Sequence, residues 1–260
     1  VLRVAFKLAY FGWNYHGSQY QPHVPTVDGE LFRAFERMGI NARERRYRTA
    51  GRTDAGVSAL GNVFALDLDT FDPWMVRVLN SHLPEDITVW AYRVVDDDFD
   101  PRRNAVSRLY QYVMLDEGYD VETMDEAARM LVGKHDFSGF AKNCRPCVRE
   151  IYVSKVEKDG ELLIYTVEGN AFAWNMVRKI VTALKIAGRE KSPEIVERVL
   201  SGEQIPLTPA SPYGLILKDV RYSFDFEVEE KGLATLRERI AENFRKFAQL
   251  YGVFRILSDF

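Results

Sequence analysis

Gly51-Arg52-Thr53-Asp54-Ala55-Gly56-Val57-Ser58-Ala59 interrupts a long extended stretch, from about Tyr47 to Leu68, whose other residues read as strand. Two glycines that bracket an Arg and an Asp in such a setting mark a bend with close backbone approach. A phosphate-binding loop would space its glycines in the same way. Here Val57 stands where that loop needs Lys and nothing helical follows, so a nucleotide triphosphate site is excluded. On the residues alone two readings stay open: a tight turn in which Asp54 caps backbone amides, and a loop in which Asp54 has a function.

Outward from this loop, the first half alternates strands and helices. Arg3 to Tyr10 has the period of two of a half-buried strand, and Val27, Leu31, Ala34, Phe35 and Met38 recur at helical spacing behind Thr26, a fitting N-cap. A helix around Trp74 to Ser81 and a strand Ile87 to Val95 complete residues 1–105. Residues 106–223 replay the order. Leu109 to Leu115 reads as strand and Val121 to Val132 as helix; strands Val148 to Val156 and Leu162 to Val167 flank the turn Lys158-Asp159-Gly160. Helices Trp174 to about Ala187 and Glu194 to Ser201 and a strand Leu215 to Ser223 follow. The pattern predicts an α+β protein of two related α/β halves, their strands joined edge to edge in one large, mainly antiparallel sheet with a central cleft. Beyond residue 223 the composition turns acidic. Leu233, Leu236, Ile240, Phe244, Phe247 and Tyr251 then mark one amphipathic helix in a 224–260 extension, expected to pack on its own chain.

With 47% hydrophobic and 28% charged residues among 260, the chain is long and apolar enough for a sizeable core. It has no apolar run of about 18 residues and no signal-peptide pattern at its start, which predicts a cytoplasmic protein. A net charge of −3 argues against wrapping a long duplex, yet it leaves room for a local basic groove. Arg43, Arg45, Arg46, Arg48 and Arg52, opposed only by Glu44, form such a run; Arg102, Arg103, Arg108, Lys142, Arg145 and Arg149 are further candidates. Cys144 and Cys147 supply half of a four-ligand zinc set, and the four histidines lie at no matching spacing. No metal site is expected, and the two cysteines are read as reduced thiols.

The run Gly51 to Val57 resembles the signature of the TruA family of transfer-RNA pseudouridine synthases. Further matches come in order: Tyr10-Phe11-Gly12 with Tyr15-His16-Gly17 and Gln19, Thr26-Val27-Asp28-Gly29, Leu79 to Pro84 with Asp86-Ile87, and Ser107-Arg108-Leu109-Tyr110-Gln111-Tyr112. Asp136-Phe137, Phe140, Asn170-Ala171-Phe172, Met176-Val177-Arg178, Pro209-Ala210 and Gly214 to Leu217 complete the set, so the resemblance spans about residues 3 to 223. The sequence departs from the pattern at Ser58, where the family usually has His, and the residues after about 224 match nothing in the bacterial pattern.

The resemblance implies the pseudouridine synthase fold and a cofactor-free isomerisation of uridine to pseudouridine, with transfer RNA as partner. Asp54 would be the catalytic residue, as nucleophile or as base. Arg178, at the margin of the apolar face Val177, Ile180, Val181 and Leu184, would hold that carboxylate charged. Tyr110 would stack on the extruded uracil, with Tyr112 as its competitor on the same strand, and Leu215 would wall the base. A stacked uridine cannot reach Asp54, so the nucleotide must flip, with Arg52 at the vacated position and Arg43, Arg45, Arg46 and Arg48 on the RNA path. The resemblance further implies a homodimer acting on the anticodon arm at one or more of positions 38, 39 and 40. Two alternatives are weighed. One is a catalytically silent RNA-binding module, against which the presence of Asp54, Arg178 and Tyr110 argues. The other is a magnesium-dependent phosphatase of the haloacid dehalogenase type, with Asp67-Leu68-Asp69-Thr70 as its motif and Asp97, Asp98 and Asp100 as metal ligands. That fold needs a parallel sheet and a Lys that Asp72 to Arg93 does not offer.

Overall fold

The computed structural model describes residues 1–258, in which ten strands build one sheet. The first half contributes β1 (Leu2–Tyr10), β2 (Arg48–Thr49), β3 (Ser58–Leu68) and β4 (Ile87–Val95); the second contributes β5 (Ser107–Leu115), β6 (Gly133–Asp136), β7 (Val148–Asp159), β8 (Leu162–Gly169) and β9 (Leu215–Arg221). A short β10 (Glu227–Val228) returns to β4. The order is β10-β4-β1-β3-β9-β5-β8-β7-β6, with β2 paired to β3 off this path. Neighbours run antiparallel except where the halves join: β3 and β9 are parallel and pair only through Ser58 with Ile216 and Ala59 with Leu217.

Each half buries its own helices. In the first, α1 (Val27–Arg37) and α2 (Trp74–His82) cover Phe6, Phe64 and Leu66 with Leu31, Phe35 and Leu79. In the second, α3 (Val121–Arg129), α4 (Met176–Glu190) and α5 (Glu194–Leu200) cover Leu163, Tyr165 and Val167 with Met124, Ile180 and Leu184. Strand β9 stitches the two, giving Leu217 and Val220 to the first core and Leu215 to the second. The caps follow the sequence: Thr26 accepts from the Gly29 amide at 3.2 Å and Asp120 from the Thr123 amide at 2.9 Å.

The structure corrects several expectations. The stretch expected to run extended from Tyr47 to Leu68 is two antiparallel strands, with the Gly51–Val57 loop between them. The helix expected from Trp174 starts two residues later, because Asn175 adopts a left-handed conformation (φ 63°) and leaves Trp174 outside it. Strand β6, Gly-Lys-His-Asp, has no apolar alternation to betray it and is held by pairing to β7. Cys144 and Cys147 form a disulfide instead of remaining reduced, since the turn between them brings their Cα atoms to 5.1 Å, within bridging range.

The final helix, α6 (Glu230–Leu257), begins against β4, where Gly232 meets the Val89 carbonyl and Leu236 is buried. Arg239 then donates to the Ile87 carbonyl at 3.0 Å, Phe247 packs edge-on to Trp13 at 5.1 Å, and Tyr251 and Arg255 reach Glu161 in the β7–β8 turn. The helix thus runs from the first half to the second. Phe244, Phe254 and Ile256 of this helix are exposed, as are Val253 and Leu257. No helix among the described residues is long and apolar enough to cross a membrane.

Candidate active site

The Gly51–Val57 loop sits at the junction of the halves, immediately before the first residue of β3. Its shape is set from below by a buried polar network. The Tyr10 hydroxyl and the Thr53 hydroxyl lie 2.8 Å apart, Asn62 donates to the Gly51 carbonyl at 2.9 Å, and Ser18 accepts from the Thr53 amide at 2.9 Å. Gly56 turns with φ +86°, and Pro212 and Tyr213 press so close that a β-carbon there would meet them at 3.0 to 3.2 Å. A turn is therefore present, closed by the Val57 amide on the Asp54 carbonyl at 3.1 Å, but the Asp54 side chain does not cap it.

That side chain points across the junction. Arg178 Nη1, on α4 of the other half, donates to Asp54 Oδ2 at 2.7 Å, and Trp174 Nε1 donates to Oδ1 at 3.2 Å. Arg178 is itself aimed: its Nε donates to the Ala210 carbonyl at 2.6 Å and its Nη1 lies 3.4 Å from Asn175 Oδ1. A carboxylate that accepts from a guanidinium on one oxygen and an indole on the other is held oriented, with lone pairs left over for a reacting group.

The pair opens into a cleft of about 1130 Å³ lined by both halves. This exceeds the few hundred to about 1,000 Å³ usual for a small-molecule pocket. Tyr110 borders it, edge-on to Phe172 at 5.2 Å; Tyr112 is walled into the second core. Burial pushes the Tyr110 hydroxyl up to about 12, Arg108 opposing and the Asp54 charge assisting, so it remains a proton donor at neutral pH. Leu215 lines the cleft where β9 begins. Ser58, in the place of a usual His, accepts from the Gly12 amide at 2.9 Å.

The arginine run divides. Arg48 and Arg52 line the cleft. Arg45 instead forms a two-pronged bridge to Asp69 at 2.7 and 2.8 Å, Arg46 binds Asp67 and Asp97, and Arg43 lies 4.0 Å over the Tyr20 ring. The carboxylates at the end of β3 thus occupy cations that the sequence sets on an open path. Arg102, Arg103, Arg108 and Arg149 replace them along the cleft. With Arg3 and Arg46 on Asp67, Arg45 on Asp69 and a mainly antiparallel sheet, the phosphatase arrangement is absent among the described residues.

Sequence reasoning missed three cleft residues. Phe172 and Trp174 both precede the Asn175 turn before α4; Phe172 stands in the Asn170-Ala171-Phe172 motif, which carried no role, and the signal for Trp174 was an aromatic one helical turn ahead of Arg178. Asp28 accepts from the Tyr47 hydroxyl at 2.7 Å, and burial raises its carboxyl to about 6 against the opposing pull of Tyr47 and Arg52. Its place in the first turn of α1 reads simply as a helix-stabilising acid.

Comparison with known proteins adds an independent line. A family profile described as tRNA pseudouridine synthase matches residues 127–223. The tRNA pseudouridine synthase A of Archaeoglobus fulgidus is 45% identical over 98% of this chain and 97% of its own length. The protein of that name from Methanococcoides burtonii is 42% identical over 92% of this chain and 89% of its own. That from Pyrococcus abyssi is 38% identical over 94% of each.

Proposed function

This chain belongs to the tRNA pseudouridine synthase family, and we propose that it works through Asp54 on flipped uridines of the anticodon stem-loop, at one or more of positions 38, 39 and 40. It is an enzyme that isomerises uridine to pseudouridine in tRNA. The reaction breaks the bond from C1′ to N1 and forms one from C1′ to C5 of the same uracil. N1 gains a proton and C5 loses one, so nothing is oxidised or reduced and the reaction requires no cofactor. An ionised carboxylate beside the ribose is the group this needs, whether it attacks carbon or removes a sugar proton.

The observation that carries the reading is the Asp54–Arg178 contact of 2.7 Å at the floor of a cleft shared by both halves. Tyr110 and Leu215 frame the flipped base, Arg52 stands at the vacated position in the stem, and Arg48, Arg102, Arg103, Arg108 and Arg149 meet phosphates. Arg149 Nε is buried and has no hydrogen-bond partner among the described residues, which suits an anion arriving in the cleft. The working unit is a cytoplasmic homodimer. The exposed Val253, Ile256 and Leu257, spaced to share one face of α6, support this reading, since such a patch is costly to leave in water, and sedimentation at several concentrations tests it.

The decisive experiment uses tRNA tritiated at uridine C5, from which product formation releases the label. Asp54→Asn should release none while binding tRNA within about tenfold of the parent, because phosphate contacts dominate affinity. Activity within a few fold of the parent would remove Asp54 from the chemistry.

A further inference from the structure

We propose that Trp174 is a positioning residue for Asp54, fixing the rotation of its carboxylate through an indole hydrogen bond. The inference rests on the assignment of Asp54 to the chemistry. Arg178 reaches Asp54 through one nitrogen on one oxygen, at 2.7 Å. A single contact of that kind leaves the carboxylate free to turn about its terminal torsion, which is broad for a carboxylate. The Trp174 Nε1 contact at 3.2 Å takes the other oxygen and closes that freedom, so that the remaining lone pairs keep one direction into the cleft.

The indole is held by contacts of its own. Lys142 Nζ stands 4.4 Å over the ring, and the Lys142 amide donates to the Trp174 carbonyl at 3.2 Å. The left-handed Asn175 turns the chain between Trp174 and α4, so Trp174 and Arg178 approach the same carboxylate from one segment, four residues apart. Trp174 is half exposed and contributes no large share of the core; a tryptophan kept at such a rim is explained by its polar edge. Titratable groups of the same cleft include Arg178 from α4, Tyr110 from β5 and Arg52 from the Asp54 loop itself, with Lys142 over the indole ring.

Two substitutions separate the N–H from the ring. Trp174→Phe keeps an aromatic face for Lys142 and deletes the donor. Trp174→His restores one, since His Nε2 is bonded at the same number of steps from Cβ as Trp Nε1. For tRNA modification, Trp174→Phe should lower kcat about tenfold or more, the worth of a hydrogen bond to a charged group, with KM within about twofold. Trp174→His should recover most of the loss, and both variants should melt near the parent temperature. A parent-like kcat in Trp174→Phe, an equal loss in both variants, or a loss confined to KM would overturn the proposal; the last would make the indole a stacking platform for RNA. A second arm needs no turnover: in ¹⁵N-labelled protein, Asp54→Asn should move the Trp174 indole resonance and leave those of Trp13, Trp74 and Trp90 in place. An unmoved resonance would overturn the contact itself. Parent enzyme that releases no tritium would instead sink the assignment of the reaction, visibly apart from either arm.

Discussion

Replacing Arg178 by Met should cost the fold a coupling energy with Asp54 of about 2 kcal/mol, between the at most 1 kcal/mol of a surface pair and the 3–5 kcal/mol of a fully buried one. The interval follows from exposure: the Arg178 side chain is 16% exposed and that of Asp54 34%, at a separation of 2.7 Å. Arg178 also holds the Ala210 carbonyl, so the single variant overstates the pair. A double-mutant cycle removes that excess, because the Ala210 contact is lost in both Arg178→Met and Asp54→Asn/Arg178→Met and cancels. Urea unfolding of the parent, the two singles and the double gives the coupling as the departure from additivity. In turnover, a carboxylate released by the same amount should lose about thirtyfold in kcat. A coupling below about 0.5 kcal/mol would mean that the contact is an ordinary solvated ion pair, and the reasoning that the two halves are chemically tied through it would fail.

Removing Arg48 and Arg52 together should flatten the dependence of log affinity for tRNA on log salt by roughly 0.7 to 0.9 per lost phosphate contact, whereas the double variant of Arg45 and Arg46, which hold Asp69, Asp67 and Asp97, should leave the slope alone. Equal slopes in the two double variants would refute that division. Asp28 carries a folded-state carboxyl raised from 3.8 to about 6, so the native state binds more protons and stability from this group falls as pH rises through that window. Asp28→Asn should therefore abolish a decline of up to about 3 kcal/mol between about pH 4 and 6, leaving the variant the more stable at pH 7; an unchanged pH profile would place the carboxylate in water.

What could be seen in the chain alone were features with a local cause. The period of two in β1, the 3.6 period with its Thr26 cap in α1 and the two glycines around Asp54 are each written within a dozen residues, and each appears in the structure near its expected place. Arg178 is named by the family resemblance; its place on a helix margin, which is local, reads by itself as a surface arginine. What stayed hidden depends on distant partners. Arg45 and Arg46 read as free cations until Asp67, Asp69 and Asp97 arrive from β3 and the turn after β4. Trp174 looked like the first residue of a helix, and its meeting with Asp54 spans 120 positions of sequence. Strand β6 has no pattern of its own and exists by virtue of β7.

The two residues of parallel pairing between β3 and β9 have a consequence for how the molecule comes into being. Asp54 is delivered by one half and Arg178 by the other, 124 positions apart, and both meet over this narrow seam. Without β9 in its place the chain owns every reactive group and no active centre. It is chemically mute. Formation of the seam therefore brings the reactive groups together, and α6, laid from β4 to the β7–β8 turn, ties the two halves a second time.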